Sequence, residues 1–343
     1  MKMPAFKHPN YPWERKPAAQ LGFSEKSLEN VANWIQTEYR RMKYRIIVLR
    51  HGYIVAEWQK GINTNTRLSM ASAAKSLYSS ILGIAIEEGK IPSIDAKLID
   101  YYPEYMEVKE GEGPKPGRFA KTEDKEITFR QLITNMSGYM KPGEPPDSRF
   151  HYQTFGMNIL SHAIAKSYGY YDSKHPRKLP GFRKLIDDKI KKYVGGSWKY
   201  KYTNFKHPKN AKTSIFGNYT GIEASARDMA RMGYLWLNWG NWGGNQLIPE
   251  TYLREATKTA PNIKTNCPEH QWRYGYAFWT NDHGKLWPNL PRDSYSASGA
   301  TQKNIWVCPS LDLVVAQSPG FYRSQTNPIF SKVLDNIIES LKK

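Results

Sequence analysis

The chain has 343 residues, of which 40% are hydrophobic and 13% aromatic, so it can bury a large core in one big domain or two intimate ones. This composition excludes general disorder, and the apolar runs are far shorter than the roughly 20 residues needed to cross a bilayer. The net charge is +19, but lysine and arginine are scattered and no nucleic-acid-binding motif accompanies them, so we expect no nucleic-acid partner.

The N-terminal part predicts a helix followed by a β-hairpin. Residues 1–16 lack the apolar core of a signal peptide, which leaves open a cytoplasmic location, or a periplasmic or secreted one after removal of a leader. In YRIIVLRHGYIVAEWQKG, two strand patterns flank a turn at His51-Gly52. The run before it, SEKSLENVANWIQTEYRRM, has four apolar residues on one helical face: Leu28, Val31, Trp34 and Ile35.

The run SMASAAKSLYSSILGIAIEEGK follows the hairpin and predicts a buried helix that stops at Gly89, with Ser72 in its first turn. Lys75 lies one helical turn after Ser72, so its amine can reach the serine hydroxyl. This S-x-x-K spacing is typical of serine acyl-transfer enzymes that use a lysine base. Ser340 and Lys343 repeat the spacing at the C-terminus, so the pattern alone is weak. The alternative is a core helix with a serine N-cap and a solvated lysine.

The rest of the chain predicts a helical middle and a second group of strands. From Ser69 to about Thr257 the patterns are mostly helices and loops, including a helix with Ser225 as its N-cap. Near the C-terminus RYGYAFWT, QKNIWVCP and LDLVVAQSP predict strands, and NPIFSKVLDNIIESLKK predicts a closing amphipathic helix.

The expected fold class is therefore α+β, with an antiparallel sheet built from both chain termini and flanked by helices. Residues 1–66 and 270–343 would form the sheet region, and residues 67–269 an inserted, mostly helical region. We expect one catalytic unit, with its site in the cleft between the two regions.

No pattern indicates a metal ion or cofactor, because H-E-x-x-H, Walker A and G-x-S-x-G motifs are absent from the sequence. Cys267 and Cys308 are the two cysteines, and they do not make a zinc-binding spacing. Whether they form a disulfide stays open, as does the oligomeric state.

Five segments carry a family resemblance in the expected order. They are Ser72-Ala73-Ala74-Lys75, ITFRQLITNMSGY (127–139), FHYQTFGMNIL (150–160), SARDMARMGYLWLNWGNW (225–242) and SASGATQKNIWVCPSLDLVVA (296–316). In this order they resemble the serine β-lactamase and penicillin-binding protein family, particularly class C enzymes and related esterases or amide-oligomer hydrolases. The resemblance runs from about residue 23 to the end and implies a β-lactamase/transpeptidase-like fold.

The resemblance implies a role for each site residue. Ser72 would be the nucleophile, and Lys75 would hold and accept its proton. Tyr152, at the tyrosine of the family's Tyr-x-Asn element, would act with Lys75 as general base and then as acid to the leaving group. A phenol can do this only if a nearby ammonium lowers its pKa. The backbone N–H groups of Ser72 and Ala300 would form the oxyanion hole.

Three further residues, Thr154, Ser298 and Gly299, would contact the substrate, and Gly299 would let the strand approach closely. The chain departs from the family at two positions. Ala297 stands where the family has the lysine of Lys-Thr-Gly, and Thr154 stands where it has the asparagine of Tyr-x-Asn. In β-lactam enzymes this lysine helps to hold the ligand's carboxylate and this asparagine bonds its amide. The departures favour a simpler ester or amide substrate.

The leading hypothesis is a serine hydrolase of carboxylic esters or small amides that forms an acyl-enzyme on Ser72. A β-lactamase or D-Ala-D-Ala carboxypeptidase is the first alternative, which Ala297 and Thr154 disfavour. A non-catalytic binding module on the same fold is the second. A binding protein has no need of Ser72, Lys75 and Tyr152 together, so their joint presence favours a catalyst.

Overall fold

The computed structural model describes residues 13–203, 215–319 and 329–342. Residues 1–12, 204–214, 320–328 and Lys343 lie outside the described residues, and with them the start of the predicted closing helix segment NPIFSKVLDNIIESLKK. Within the described ranges, no helix is long and apolar enough to cross a membrane. Cys267 and Cys308 are both buried and both free thiols.

Helices and strands both occur throughout the described residues. The helices are α1 (Glu25–Glu38), α2 (Lys75–Glu87), α3 (Phe129–Ile133), α4 (Phe155–Ser167), α5 (Phe182–Ile186), α6 (Lys192–Val194), α7 (Ala226–Leu237), α8 (Glu250–Ala256), α9 (Pro261–Asn266) and α10 (Ile329–Glu339). The strands are β1 (Tyr44–Arg50), β2 (Tyr53–Lys60), β3 (Leu68–Ser69), β4 (Lys199–Thr203), β5 (Tyr219–Ala224), β6 (Asn241–Trp242), β7 (Asn245–Gln246), β8 (Trp279–Thr280), β9 (Tyr295–Gly299), β10 (Lys303–Cys308) and β11 (Leu313–Gln317).

The main sheet has six antiparallel strands in the order β2-β1-β11-β10-β9-β8. Strand β1, from the N-terminal hairpin, pairs with β11 near the C-terminus, so the sheet joins the two ends of the chain. This confirms the α+β architecture and the assembly of the sheet from both chain termini.

Both faces of the sheet are buried. Successive side chains of a strand point to opposite faces, and each face packs against a core of its own. In β1, Ile47 and Leu49 join the larger core toward the middle of the chain, whereas Ile46 and Val48 join a smaller core under α1 and α10. The strands β10 and β11 divide in the same way. The sheet therefore lies between two helical layers.

Helix α7 packs directly on the sheet, although it belongs to the middle of the sequence. Its N-cap is Ser225, as predicted, and the Ser225 and Asp228 side chains form a capping box. Gly233 allows the close approach, since a Cβ there would lie 2.5 Å from Cγ1 of Val314 and 2.6 Å from Cγ2 of Ile305. The predicted regions therefore interlock, and the boundaries at residues 66 and 270 stay a prediction.

Arg45 links the main sheet to the segment that leads into Ser72. Its guanidinium is fully buried and donates hydrogen bonds to the carbonyl groups of Thr66, Ala224 and Ser318. These carbonyls belong to the loop before β3, the end of β5 and the end of β11. One side chain thus ties three chain segments together beneath the site.

Two local predictions differ from the structure. The middle of the chain contains a second sheet, β3-β5-β4, besides its helices. The run RYGYAFWT forms a strand only at Trp279–Thr280, because Ala277 has a φ of +58° and its N–H donates to the carbonyl of Ile133. A left-handed residue interrupts an extended strand. The hairpin turn at His51-Gly52 is confirmed.

Candidate active site

Ser72 lies where the small sheet passes into helix α2. The segment that contains it, Ala71–Ala74, is a 3-10 turn. Ser72 therefore lies just before α2, which begins at Lys75, and not in its first turn as predicted. Ala71 has a φ of +50°, in the left-handed region that few residues other than glycine adopt. The turn leaves Ser72 half-buried, while Lys75 points inward and its side chain is buried.

The hydroxyl of Ser72, the amine of Lys75 and the phenol of Tyr152 lie in direct contact. Nζ of Lys75 is 3.0 Å from Oγ of Ser72 and 2.8 Å from the phenol oxygen of Tyr152. The Ser72 hydroxyl also acts to lower the pKa of the Tyr152 phenol. The structure thus brings together three groups that the sequence separates by up to 80 positions.

Burial shifts the pKa values of Lys75 and Tyr152 in opposite directions. Desolvation lowers the pKa of Lys75 from 10.5 to about 7, so a large fraction of its amine is uncharged near neutral pH. Burial raises the pKa of Tyr152 from 10.0 to about 12, and the Ser72 hydroxyl only partly opposes this rise. The base role predicted for Tyr152 required its pKa to fall, whereas burial raises it, so near neutral pH the amine is the group of the two that can accept a proton.

Strand β9 presses against the turn that carries Ser72. A Cβ at Gly299 would lie 2.3 Å from the carbonyl oxygen of Met70 and 3.1 Å from the backbone nitrogen of Ser72, closer than carbon atoms pack. Only glycine fits this approach without a shift. Ala300 follows at once and is exposed, so its backbone lies at the mouth of the site.

Of the other residues singled out in the sequence, one contacts Lys75, one lies partly exposed on β9 and one is buried in the core. Oγ1 of Thr154 lies 3.4 Å from Nζ of Lys75, so this side chain contacts the base. Oγ of Ser298 is 3.1 Å from Oγ of Ser296, and Ser298 is partly exposed. Ala297 is completely buried in the larger core, and it supplies no cation beside the nucleophile.

Two aromatic side chains pack against the ring of Tyr152, and no sequence pattern pointed to them. The ring of Trp279 stacks on that of Tyr152 with centroids 5.9 Å apart, and Tyr274 meets it edge-on at 6.0 Å. Trp279 comes from β8, next to β9 in the sheet. Aromatic walls exclude water, which is consistent with the raised pKa of the phenol. The three rings come from segments far apart in sequence, so no sequence spacing could have shown the cluster.

In chemical terms the site holds a hydroxyl beside an amine that is partly uncharged at neutral pH. Such an amine can accept the hydroxyl proton and so activate the oxygen as a nucleophile. Among the described residues, no cluster of three or more His, Cys, Asp or Glu side chains suits a metal ion.

Similarity to known proteins identifies the fold and the family. Two solved structures share the fold: a family VIII carboxylesterase (TM-score 0.66, 13% identity, covering 92% of this chain and 97% of that one) and a class C beta lactamase from Rhodobacter sphaeroides (TM-score 0.61, 14% identity, 92% and 99%). At these identities they show the fold alone.

A curated relative, Beta-lactamase-like protein 1 of Dictyostelium discoideum, is 30% identical over 115 residues. That match covers 31% of this chain and 18% of the relative, so it spans less than a fifth of the relative's length. The Beta-lactamase family model matches residues 35–317, which is most of the chain. The chain therefore belongs to the Beta-lactamase family, whose members include hydrolases of the β-lactamase/transpeptidase-like fold.

Proposed function

We propose that this protein is a serine hydrolase of carboxylic esters or small amides that forms an acyl-enzyme on Ser72. The observation that supports it most is that Nζ of Lys75 contacts both other groups, at 3.0 Å from Oγ of Ser72 and 2.8 Å from the phenol oxygen of Tyr152. A hydroxyl, a base with a pKa of about 7 and a protonated phenol are the groups that acyl transfer needs.

In the acylation step, the uncharged amine of Lys75 takes the proton of Ser72 Oγ as this oxygen attacks the substrate carbonyl carbon. The backbone N–H groups of Ser72 and Ala300 donate hydrogen bonds to the developing oxyanion. The close contact between Gly299 and the turn at Ser72 supports this pairing of donors.

Breakdown of the tetrahedral intermediate needs a proton on the leaving oxygen or nitrogen. Tyr152 donates its phenol proton to the leaving group and regains one from the Lys75 ammonium, 2.8 Å away. Because burial keeps the phenol protonated at neutral pH, Tyr152 acts as a proton carrier and Lys75 as the base. Water then attacks the acyl group by the same steps, with Lys75 taking its proton and Ser72 leaving.

The substrate class follows from what the site lacks. Ala297 replaces the family's lysine and is buried, so it offers no charge to a ligand carboxylate. Thr154 contacts Lys75 instead of presenting a long amide to the substrate. An uncharged ester or amide loses nothing from these changes, whereas a β-lactam loses two recognition groups.

Hydrolysis of p-nitrophenyl acetate and p-nitrophenyl butyrate tests the proposal, with nitrocefin assayed in parallel. We expect ester turnover by the wild type, its loss in Ser72→Ala, and little nitrocefin cleavage. Ser340→Ala is the matched control, because Ser340 begins the second S-x-x-K sequence and lies at the other end of the chain. Turnover that survives in Ser72→Ala would refute the nucleophile, and fast Ser72-dependent nitrocefin cleavage would refute the substrate argument.

A further inference from the structure

The segment that carries Tyr152 has no regular structure of its own. Residues 150–153 belong to neither a helix nor a strand, and α4 begins only at Phe155. The phenol nevertheless has to stay within hydrogen-bond distance of Lys75, since a displacement of about 1 Å can cost about 100-fold in rate. Another part of the chain must therefore hold this segment in place.

Asn135 bonds the residues on both sides of Tyr152. Its backbone carbonyl accepts a hydrogen bond from the N–H of His151 at 2.9 Å. Its side-chain Oδ1 accepts another from the N–H of Gln153, also at 2.9 Å. A single residue thus holds the N–H of the residue before Tyr152 and the N–H of the residue after it, and so restrains the segment that carries the phenol.

Asn135 also contacts the Tyr152 ring indirectly, through Tyr274. Its Nδ2 donates to the phenol oxygen of Tyr274 at 3.2 Å, and the Tyr274 ring meets the Tyr152 ring edge-on at 89°. Because Trp279 stacks against the Tyr152 ring, the ring is restrained by two aromatic neighbours. Asn135 controls one of these two restraints directly.

The residue type fits this task. Asn135 is 1% exposed and has a φ of +60°, a left-handed conformation that asparagine tolerates better than most residues. Its side chain has one acceptor and one donor end, and both have a partner. An alanine here would strain the backbone and lose both bonds, whereas an aspartate would keep an acceptor for Gln153.

We propose that Asn135 is a positioning residue that holds the phenol of Tyr152 at Lys75 for proton transfer. It does not touch the reacting atoms, and it acts through Tyr152 alone. This inference rests on the proposed function, because it requires Tyr152 to carry the proton to the leaving group.

A double-mutant cycle with Asn135→Gly and Tyr152→Phe tests this inference. Glycine keeps the left-handed backbone and removes only the side chain. With p-nitrophenyl butyrate we expect Asn135→Gly alone to lower kcat about 30-fold, with KM changed by less than about 3-fold. In the Tyr152→Phe background the same change should lower kcat by less than about 3-fold, because the group that Asn135 positions is already gone.

The control is Asn158→Ala, which removes another buried asparagine, one whose amide donates to the carbonyl of Phe216. It should have the same small effect on kcat in both backgrounds. Thermal unfolding is followed for each variant. If Asn135→Gly does not fold, Asn135→Asp replaces it in the cycle with an expected coupling of about 5-fold, since it keeps one of the two bonds.

The outcomes separate the two proposals. Multiplicative losses from Asn135 and Tyr152 changes would overturn the positioning role alone. Absence of Ser72-dependent turnover in the wild type would overturn the proposed function and this inference with it.

Discussion

Replacing Lys75 with methionine removes a buried amine that the folded protein has to keep partly uncharged. The folded state lowers the pKa of this amine from 10.5 to about 7. Each pH unit between the two values is worth about 1.4 kcal/mol, so the amine destabilises the folded state by up to about 5 kcal/mol below pH 7. At pH 7 itself the cost is about 4 kcal/mol.

Methionine has a shape similar to that of lysine, but it does not titrate and it cannot donate a hydrogen bond to Ser72 or Tyr152. The lost hydrogen bonds cost about 1–2 kcal/mol. We therefore expect Lys75→Met to abolish turnover and to raise the free energy of unfolding by about 2–3 kcal/mol at pH 7. The proposed catalytic base is thus expected to lower the stability of the fold.

The sign of the pH dependence makes this prediction specific to the amine. Between about pH 7 and pH 10.5 the folded wild type binds fewer protons at Lys75 than the unfolded chain. Its stability therefore rises with pH in this window through this group, whereas the methionine variant gains nothing from it. The advantage of Lys75→Met should shrink across the window and become a small deficit near pH 10.5.

Urea unfolding of both proteins, from about pH 6.5 to about pH 10, measures this difference. Lys26→Met is the matched control, because it makes the same substitution at an exposed lysine of α1. A Lys75→Met difference that stays constant across the series would refute the lowered pKa and, with it, the role of the uncharged amine.

Three further predictions concern the site and its support. The kcat/KM for an uncharged ester should rise as pH increases through about 7, following deprotonation of Lys75, and a profile that falls over this range would contradict the assignment of the base. Gly299→Ala should lower kcat at least about 100-fold, because its Cβ would lie 3.1 Å from the Ser72 nitrogen and displace a proposed oxyanion donor. Steady-state assays measure this loss. Activity within about 3-fold of wild type would contradict it and would show that the end of β9 can move freely. Gly233→Ala should cost about 1–3 kcal/mol in urea unfolding, because its Cβ would overlap the sheet, while kcat of the folded fraction stays unchanged.

The parts of the structure that follow from local patterns were predictable. The His51-Gly52 turn, the cap at Ser225 and the alternating strands β10 and β11 each depend on residues that are near one another in sequence. The assembly of the main sheet from both chain ends was expected because the strand patterns occurred near the two ends, and the structure realises it by pairing β1 with β11. The placement of Lys75 near Ser72 followed from helical spacing.

Other features depend on contacts between distant segments and left no local signal. The run 273–280 reads as a strand, but Ala277 bends away to bond the end of α3. The pKa of Tyr152 rises because tertiary packing buries it, an effect opposite in sign to the ammonium effect that the motif suggested. Asn135 looked like part of a family segment, and its bonds to residues 151 and 153 appear only in the folded chain.

The most direct test of the account is to trap the acyl group on the protein. Wild-type protein is mixed with excess p-nitrophenyl butyrate, quenched in acid and digested, and peptide fragmentation locates the butyryl group. We predict one butyryl group per chain, on Ser72, together with a burst of p-nitrophenol equal to the enzyme concentration, and neither in Ser72→Ala. The same trapping is done with Tyr152→Phe, which we expect to turn over slowly. A butyryl group on another residue would contradict the central claim. Turnover with no covalent adduct in either the wild type or Tyr152→Phe would contradict it as well.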